Sequence, residues 1–198
     1  VAIVVGACSS TGGGSAGPSL PASVGEGEGV LNLVAWAGYV VGGTGGEQVE
    51  GYDWVTPFET ATGCKVTVKV GLDSGNMVQL MKTGEYDGVS ASGDATLRLI
   101  AGGDVAPVNF ELIPNYKDVF SGLKNKSYNT VAGAGYGVPH GRGANVLMYD
   151  PSVVTPAPDS WSVVFDANSP CKGKVTAYNY AIYIADAALY LMKTKPEL

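Results

Sequence analysis

The chain has 198 residues, of which 45% are hydrophobic and 15% are charged, so it is long enough to build a core in one or two domains. Its formal net charge is −6 and it contains no basic stripe, which argues against nucleic acid as a partner. The acidic balance suits a cationic ligand, although solubility explains it equally well.

The first residues predict an export signal followed by a tether. Residues 1–8, VAIVVGAC, look like the apolar tail of a secretion segment, and their last four resemble the bacterial lipobox, whose cysteine becomes the lipidated N-terminus. The alternative is a short buried strand that ends in a free cysteine. Residues 9–29 form a Ser/Gly/Pro-rich tract that is typical of a flexible tether. We therefore expect a lipid on Cys8 and an exported domain, anchored in the periplasmic space or at the outer face of the cell membrane.

Three predicted strands alternate with three predicted helices in the next part of the chain. Valines alternate with polar residues in the second strand, and apolar residues recur at helical spacing in the segments between strands. Pro57 is expected to bend or interrupt the first helix. This alternation predicts an α/β fold with a mainly parallel sheet and right-handed crossovers. The strands are predicted over 30–36, 65–70 and 86–90, and the helices over 49–61, 74–83 and 94–101.

Small turns follow the first and third predicted strands. Trp36 and Tyr39 come after the first strand beside glycines, and Ser92 and Asp94 lie in the turn after the third. Because the carboxyl ends of parallel strands share one edge of a sheet, both turns can face one ligand cleft. Two alternatives stay open: Ser92 or Asp94 only caps the helix, and the two aromatic rings belong to the core.

The pattern weakens after residue 104. Strand pieces are predicted over 136–138 and 145–149, around a Pro-His-Gly-Arg-Gly turn. His140 is the only histidine of the chain, and a lone histidine is usually a hydrogen-bonded structural residue. Arg142 stands between two glycines, where it is exposed enough to contact a ligand or clamp a carboxylate. Later elements are predicted as short helices over 115–123 and 159–165, a strand over 172–178 and an apolar helix over 181–193.

No motif in the sequence indicates catalysis. The chain has no phosphate-binding loop, no nucleophile elbow and no zinc-protease pattern, and no pair of carboxylates has a spacing that suits acid–base work. Ser92, Asp94 and His140 would be the candidates for an enzyme on this scaffold, but they lack a recognisable catalytic spacing. We therefore expect no catalytic residue, no metal ion and no cofactor.

Seven motifs stand in a fixed order between residues 30 and 198: NLVAWAGYV, PFETATGCKVTVKV, MVQLMKTGEYDGVSASGD, LIPNY, YGVPHGRGANVLMYD, DSW and KGKVTAYNYAIYIADAALYLM. In this order they resemble the extracellular solute-binding proteins of bacterial ABC transporters, and most closely the spermidine/putrescine-binding branch. The resemblance implies a type II periplasmic-binding fold, in which two α/β lobes are joined by crossing strands and hold the ligand in an interlobe cleft.

The resemblance also implies how the chain is divided. Residues 30–137 would form most of the first lobe, 138–148 the crossover strands, and 149–198 the start of a second lobe that is incomplete. Cys64 and Cys171 would then lie in different lobes, where a disulfide would restrict closure, and their pairing stays open. An incomplete lobe would expose part of its sheet and the apolar helix near Ile184, so we expect a poorly soluble product.

The function that the resemblance implies is capture of a small solute, by a monomer, for delivery to the membrane subunits of an ABC permease. Polyamine binders hold the methylene chain between aromatic rings and the ammonium groups with carboxylates. Trp36 and Tyr39 match the first-loop aromatics and Ser92 matches the serine after the third strand, whereas Asp94 takes a contact position that is often aromatic. The predicted ligand-binding residues are Trp36, Tyr39, Ser92, Asp94, His140, Arg142, Tyr178 and Tyr183.

One departure from the polyamine-binding pattern keeps other ligands open. The acidic residues that follow a later strand in that family are replaced here by Tyr178, Asn179, Tyr180 and Tyr183. Arg142 also adds positive charge near the expected cleft. A neutral or anionic solute is therefore an alternative ligand, and a structural surface lipoprotein without a small ligand is a further alternative.

Overall fold

The computed structural model describes residues 20–178, 180 and 183–197. Cys8 with the predicted signal remnant, and part of the predicted tether, lie outside the described residues. The chain divides into two units, Val1–Gly141 and Arg142–Leu198, and the predicted domain limits stay predictions. Within the described ranges, no helix is long and apolar enough to cross a membrane.

The first unit contains a parallel sheet of three strands. β1 is the central strand, and it pairs with β2 along one edge and with β3 along the other, which gives the order β2-β1-β3. The predicted α/β fold with a parallel sheet is therefore confirmed. The strands are β1 (Val30–Ala35), β2 (Lys65–Val70) and β3 (Gly88–Val89), and they alternate with α1 (Val55–Thr62), α2 (Ser74–Met81) and α3 (Gly93–Gly102).

Helices cover both faces of this sheet. On one face Val34 of β1 packs in a buried cluster with Met77 of α2 and Leu99 of α3. On the other face Ala35 packs in a second cluster with Val55 of α1. Because successive residues of a strand point to opposite faces, the neighbours Val34 and Ala35 each serve one layer. The first unit is thus a three-layer structure. The connections β1-α1-β2 and β2-α2-β3 run in opposite directions across the sheet and place α1 and α2 on opposite faces, as crossovers of the same hand require.

The first helix begins later than the sequence predicts. Asp53 Oδ1 accepts the N–H groups of Val55 (3.1 Å) and Thr56 (2.9 Å), and α1 starts at Val55. Pro57 therefore lies in the first turn, where its missing N–H costs no helical hydrogen bond, and it does not interrupt the helix. Residues 49–54 were predicted as helix because the turn made by Asp53 is not visible in the apolar periodicity.

The part of the first unit that follows α3 is mostly irregular. Its short elements are three 3-10 helices at Phe110–Leu112, Pro114–Asp118 and Ser121–Leu123, and an antiparallel hairpin of β4 (Thr130–Val131) and β5 (Ala134–Gly135). The single helix predicted over 115–123 is wrong, since Pro114 starts a tight 3-10 turn and the last turn is separate. The strand predicted over 136–138 is also absent from these described residues.

The second unit has two helices in its described residues, α4 (Ser162–Phe165) and α5 (Ile184–Thr194), and no strand. The strands predicted over 145–149 and 172–178 are therefore wrong, because a strand needs a neighbour that pairs with its N–H and C=O groups. Its apolar helix is exposed as expected, with Ile184 70% accessible. The poor solubility itself stays a prediction. Cys64 and Cys171, one in each unit, are free thiols.

Candidate functional site

The carboxyl edge of the sheet has a topological switch point between β1 and β3. The chain leaves β1 toward α1 on one face and leaves β3 toward α3 on the other face. The two strands are held in register, since Val34 pairs with Val89 and the Ser90 N–H donates to the Val34 carbonyl at 2.8 Å. Where connections diverge in this way, open α/β sheets form a crevice between the strand ends and bind small ligands there.

The turn after β1 places its two aromatic residues differently. Trp36 is partly buried and packs against the cluster that contains Val34. Most of its side chain therefore belongs to the core, which was the alternative to a place in the ligand cleft. Tyr39 is 41% exposed, and its N–H donates to the Trp36 carbonyl at 3.1 Å, which fixes the turn. Tyr39 therefore lies at the rim of the crevice.

His140 joins this turn through an aromatic stack. Its ring lies 4.6 Å from the Tyr39 ring, centroid to centroid, with an interplanar angle of 21°. Both residues belong to the first unit, and His140 is exposed. The predicted ligand residues Tyr39 and His140 are thus brought together, although no sequence pattern indicated that they meet.

The turn after β3 leaves the Ser92 hydroxyl available. Ser92 is the N-cap residue of α3 with extended backbone, but its side chain makes no capping hydrogen bond. Its carbonyl accepts the Thr96 N–H (3.0 Å) and hydroxyl (3.2 Å) instead. The capping alternative for Ser92 is therefore wrong, and the first N–H groups of α3 and the hydroxyl remain for a ligand.

Asp94 lies in the first turn of α3, where the helix dipole favours a negative charge. Its Oδ1 atom is buried and has no hydrogen-bond partner among the residues that the structure describes. A buried carboxylate oxygen without a partner is costly, and a bound donor would relieve that cost. Oδ1 is closed to solvent in this conformation, so a ligand donor would reach it only through a rotation of the Asp94 side chain.

Glu47 is a carboxylate at this edge that the sequence analysis missed. A Cβ atom on Gly38 would lie 3.2 Å from Glu47 Oε2, so the carboxylate rests against the turn between Trp36 and Tyr39. Its backbone is fixed, since the Glu47 N–H donates to Val40 O (3.1 Å) and Glu47 O accepts the Gly42 N–H (2.9 Å). The glycine-rich loop folds back on itself, and no periodicity in the sequence signals that return.

Tyr128 is the second residue that the sequence analysis missed. A Cβ atom on Gly93 would lie 2.9 Å from both Cβ and Cγ of Tyr128, so the tyrosine packs against the start of α3. Gly93 stands between Ser92 and Asp94, which places Tyr128 beside both predicted ligand residues. A glycine between two polar residues at a helix start was the available signal, because glycine often marks the close approach of another group.

The other predicted ligand residues lie in the second unit. Arg142 is exposed. Tyr178 stacks on Tyr183 at 4.5 Å between ring centroids, and both line a cavity of about 710 Å³ within that unit, together with the hydrogen-bonded pair of Asn145 and Asp186. That these residues act with those of the first unit stays a prediction.

A cavity of about 650 Å³ in the first unit lies elsewhere, along β3. It is lined by Asp87, Gly88 and Val89 and by the segment after α3 that includes Asp104 and Asn109. None of the predicted ligand residues lines it. This cavity is therefore not formed by the residues that were predicted to bind the ligand.

Two carboxylates, Glu47 and Asp94, lie at or beside the turns that follow β1 and β3. Among the described residues the one ion pair joins Lys65 to Glu59 at 3.1 Å, so neither Glu47 nor Asp94 is neutralised by a lysine or arginine there. The described part of the chain holds no group of three metal-binding side chains. Aromatic faces beside unneutralised carboxylates can attract an organic cation. No protein-family model matches the chain, so membership of the solute-binding family that the sequence resembles stays a prediction.

Proposed function

We propose that this protein is the substrate-binding lipoprotein of an ABC importer and captures a small organic cation, with a polyamine such as spermidine or putrescine as the favoured ligand. The observation that carries the proposal is the switch point between β1 and β3, whose two turns supply Tyr39, Ser92 and Asp94. Open α/β sheets bind small ligands at this position. The order of the sequence motifs supports the type II periplasmic-binding fold as the whole architecture.

A cation is favoured because of the charges and rings at the crevice. Asp94 has a buried oxygen without a described partner, and Glu47 rests on the neighbouring turn. The exposed face of Tyr39 can contact methylene groups or an ammonium group. A polyamine has both parts, since its ammonium groups are separated by short apolar chains. The net charge of −6 adds a long-range attraction for such a ligand.

The transport role rests on the sequence motifs. The lipid on Cys8, the tether, the export of the domain and its delivery of solute to permease subunits are parts of the proposal that the lipobox and the resemblance support. Closure of two lobes over the ligand, which the resemblance implies, also stays a prediction. A receptor of this kind would gain stability by mass action when its solute binds.

The test is a thermal-shift titration of the full chain with spermidine and with three four-carbon ligands that differ mainly in charge: putrescine, 1,4-butanediol and succinate. We expect a saturable rise in melting temperature with putrescine and with spermidine, and none with the neutral diol or the dianion. At 100 times the dissociation constant, binding stabilises the folded state by about 2.7 kcal/mol. A rise with succinate alone would replace the cation with an anionic solute, and no rise with any ligand would overturn the receptor role.

Asp94→Asn provides the matched variant for this titration. It keeps the shape of the side chain and removes the charge, so we expect weaker binding of putrescine with little change in the melting temperature of the free protein. Asp118→Asn, on an exposed 3-10 turn, is the control and should bind as the wild type does. Equal effects of the two variants would mean that the protein responds to net charge and not to Asp94.

A further inference from the structure

Gly93 needs to be a glycine because of the space around it. It is the first residue of α3, and its backbone is outside the left-handed region that favours glycine. Alanine would be the better helix former at an ordinary helical position. A Cβ atom at Gly93, however, would meet Tyr128 Cβ and Cγ at 2.9 Å and Cδ2 at 3.2 Å. The missing side chain therefore makes room for the tyrosine at the start of the helix.

Tyr128 is held in place but is not buried. The next residue, Asn129, is buried, its N–H donates to Lys126 O at 3.0 Å, and its carbonyl accepts the Tyr136 N–H at 2.9 Å. These bonds fix the segment that carries Tyr128, whereas the residue itself stays 38% exposed. A tyrosine that is fixed by its surroundings and still accessible can offer a ring face to a ligand at low entropic cost.

We infer that Tyr128 and Asp94 form a recognition pair for an ammonium group at the start of α3, and that Tyr128 determines the preference for cations over neutral solutes. This inference rests on the proposed function. Asp94 supplies a carboxylate oxygen that lacks a described partner, and Gly93, the residue before it, packs against Tyr128. A carboxylate gives the charge-assisted hydrogen bond, and the ring gives the cation–π contact that a neutral hydroxyl lacks.

The test compares spermidine binding by calorimetric titration of the full chain and of three variants. Tyr128→Ala should weaken binding about 2- to 30-fold, the range of one cation–π contact, whereas Tyr128→Phe should stay within about 2-fold of the wild type. Gly93→Ala should weaken binding like Tyr128→Ala, because the added Cβ displaces the tyrosine. Tyr52→Ala, which removes an exposed tyrosine from the loop before α1, should bind like the wild type.

A double variant tests whether Tyr128 contacts the ligand or only supports the start of α3. If the added Cβ acts only through the ring, Gly93→Ala should cause no further loss in a Tyr128→Ala background. Charge selectivity is the second readout, since loss of support would weaken all ligands equally. 4-Amino-1-butanol has one ammonium group where putrescine has two, so it gives a cationic reference ligand of the same length. The affinity ratio of putrescine to 4-amino-1-butanol should fall in Tyr128→Ala, and an unchanged ratio would overturn the inference.

The possible failures are distinguishable. If the wild-type protein does not bind spermidine, the proposed cation receptor is wrong and the recognition pair with it. If the wild type binds spermidine and Tyr128→Ala binds equally well, the recognition pair alone is wrong and the proposed function stands. If Tyr128→Ala does not fold, Tyr128→Phe with and without Gly93→Ala decides the question, because both retain the ring, and equal affinities of these two would overturn the inference.

Discussion

The two units of the chain differ in how they bury apolar side chains. The first unit encloses Val34, Met77 and Leu99 between its sheet and helices, each at most 1% exposed. In the second unit no described residue is fully buried, and the apolar residues of α5 face solvent. The difference follows from pairing: every strand of the parallel sheet has a neighbour and a covering helix, whereas the described residues of the second unit contain no strand.

This contrast shows where a binding site can be rigid. Side chains that contact a ligand must be held by elements whose positions are fixed, and buried cores provide this because they are close-packed. Ser92 and Asp94 stand at the start of a helix that is packed through Leu99. The stacked pair of Tyr178 and Tyr183 has no comparable support in its own unit. The first unit is therefore the better scaffold for a candidate site.

The largest effect that tests this contrast comes from two leucines. Leu99 in α3 is 1% exposed and Leu189 in α5 is 64% exposed. Leu99→Ala should lower the free energy of unfolding by about 2–5 kcal/mol, because it leaves a cavity in the core. Leu189→Ala should stay within about 0.5 kcal/mol of the wild type. Urea denaturation followed by tryptophan fluorescence measures both, and an equal loss for the two variants would contradict the contrast between the units.

A smaller effect separates two helix starts within the first unit. Asp73 caps α2, since its Oδ1 accepts the Asn76 N–H at 2.8 Å, whereas the side chain of Ser92 makes no such bond at the start of α3. Asp73→Ala should cost about 0.5–2 kcal/mol of stability. Ser92→Ala should cost less than about 0.5 kcal/mol and should weaken spermidine binding.

Both variants are measured by urea denaturation and by calorimetric titration with spermidine. Asp73→Ala is the control for a stability change away from the crevice and should bind spermidine normally while folded. If Ser92→Ala destabilises the protein as much as Asp73→Ala does, its hydroxyl supports the helix and is not reserved for a ligand.

The sequence predicted the sheet because its pattern is local. Val66 and Val68 are buried and Thr67 between them is exposed. The alternation in the sequence of β2 therefore corresponds to one buried and one exposed face of the strand. Ser92 and Asp94 were found for a related reason, since they follow a predicted strand and the edge of a parallel sheet is known in advance. Such features depend on neighbours within a few residues of one another.

The missed residues lie in loops that fold back onto the sheet and helices, and no periodicity in the sequence predicts where such a loop returns. Glu47 reaches the first turn because hydrogen bonds to Val40 and Gly42 close its loop, and Tyr128 reaches α3 because Gly93 leaves space for it. The wrongly predicted strand at 172–178 shows the opposite case. Its residues have strand-forming character, but strand propensity is decided by packing against neighbouring strands.

The smallest effect concerns two carboxylates, one in each unit, and it depends on pH. The Val66 N–H (2.8 Å) and then Lys65 hold the pKa of Glu59 below its ordinary value of 4.5, and these bonds join α1 to β2. The Ser152 hydroxyl (2.7 Å) and then its N–H hold the pKa of Asp150 below 3.8, within one turn. Each folded-state pKa is depressed, so the stabilisation exists above the ordinary pKa and is lost as the pH falls through the folded value.

The distance along the sequence between the hydrogen-bonded partners decides which variant changes the stability more. Glu59→Gln should lower the melting temperature near neutral pH and should flatten the acid-induced decline, because its partners are brought to it only by folding. Asp150→Asn should change both less, since a bond to a residue two positions away can form in the unfolded chain as well. Melting curves between about pH 7 and about pH 3 measure this. A steeper change for Asp150→Asn would mean that the second unit also depends on contacts made by folding, and the contrast between the units would then have to be given up.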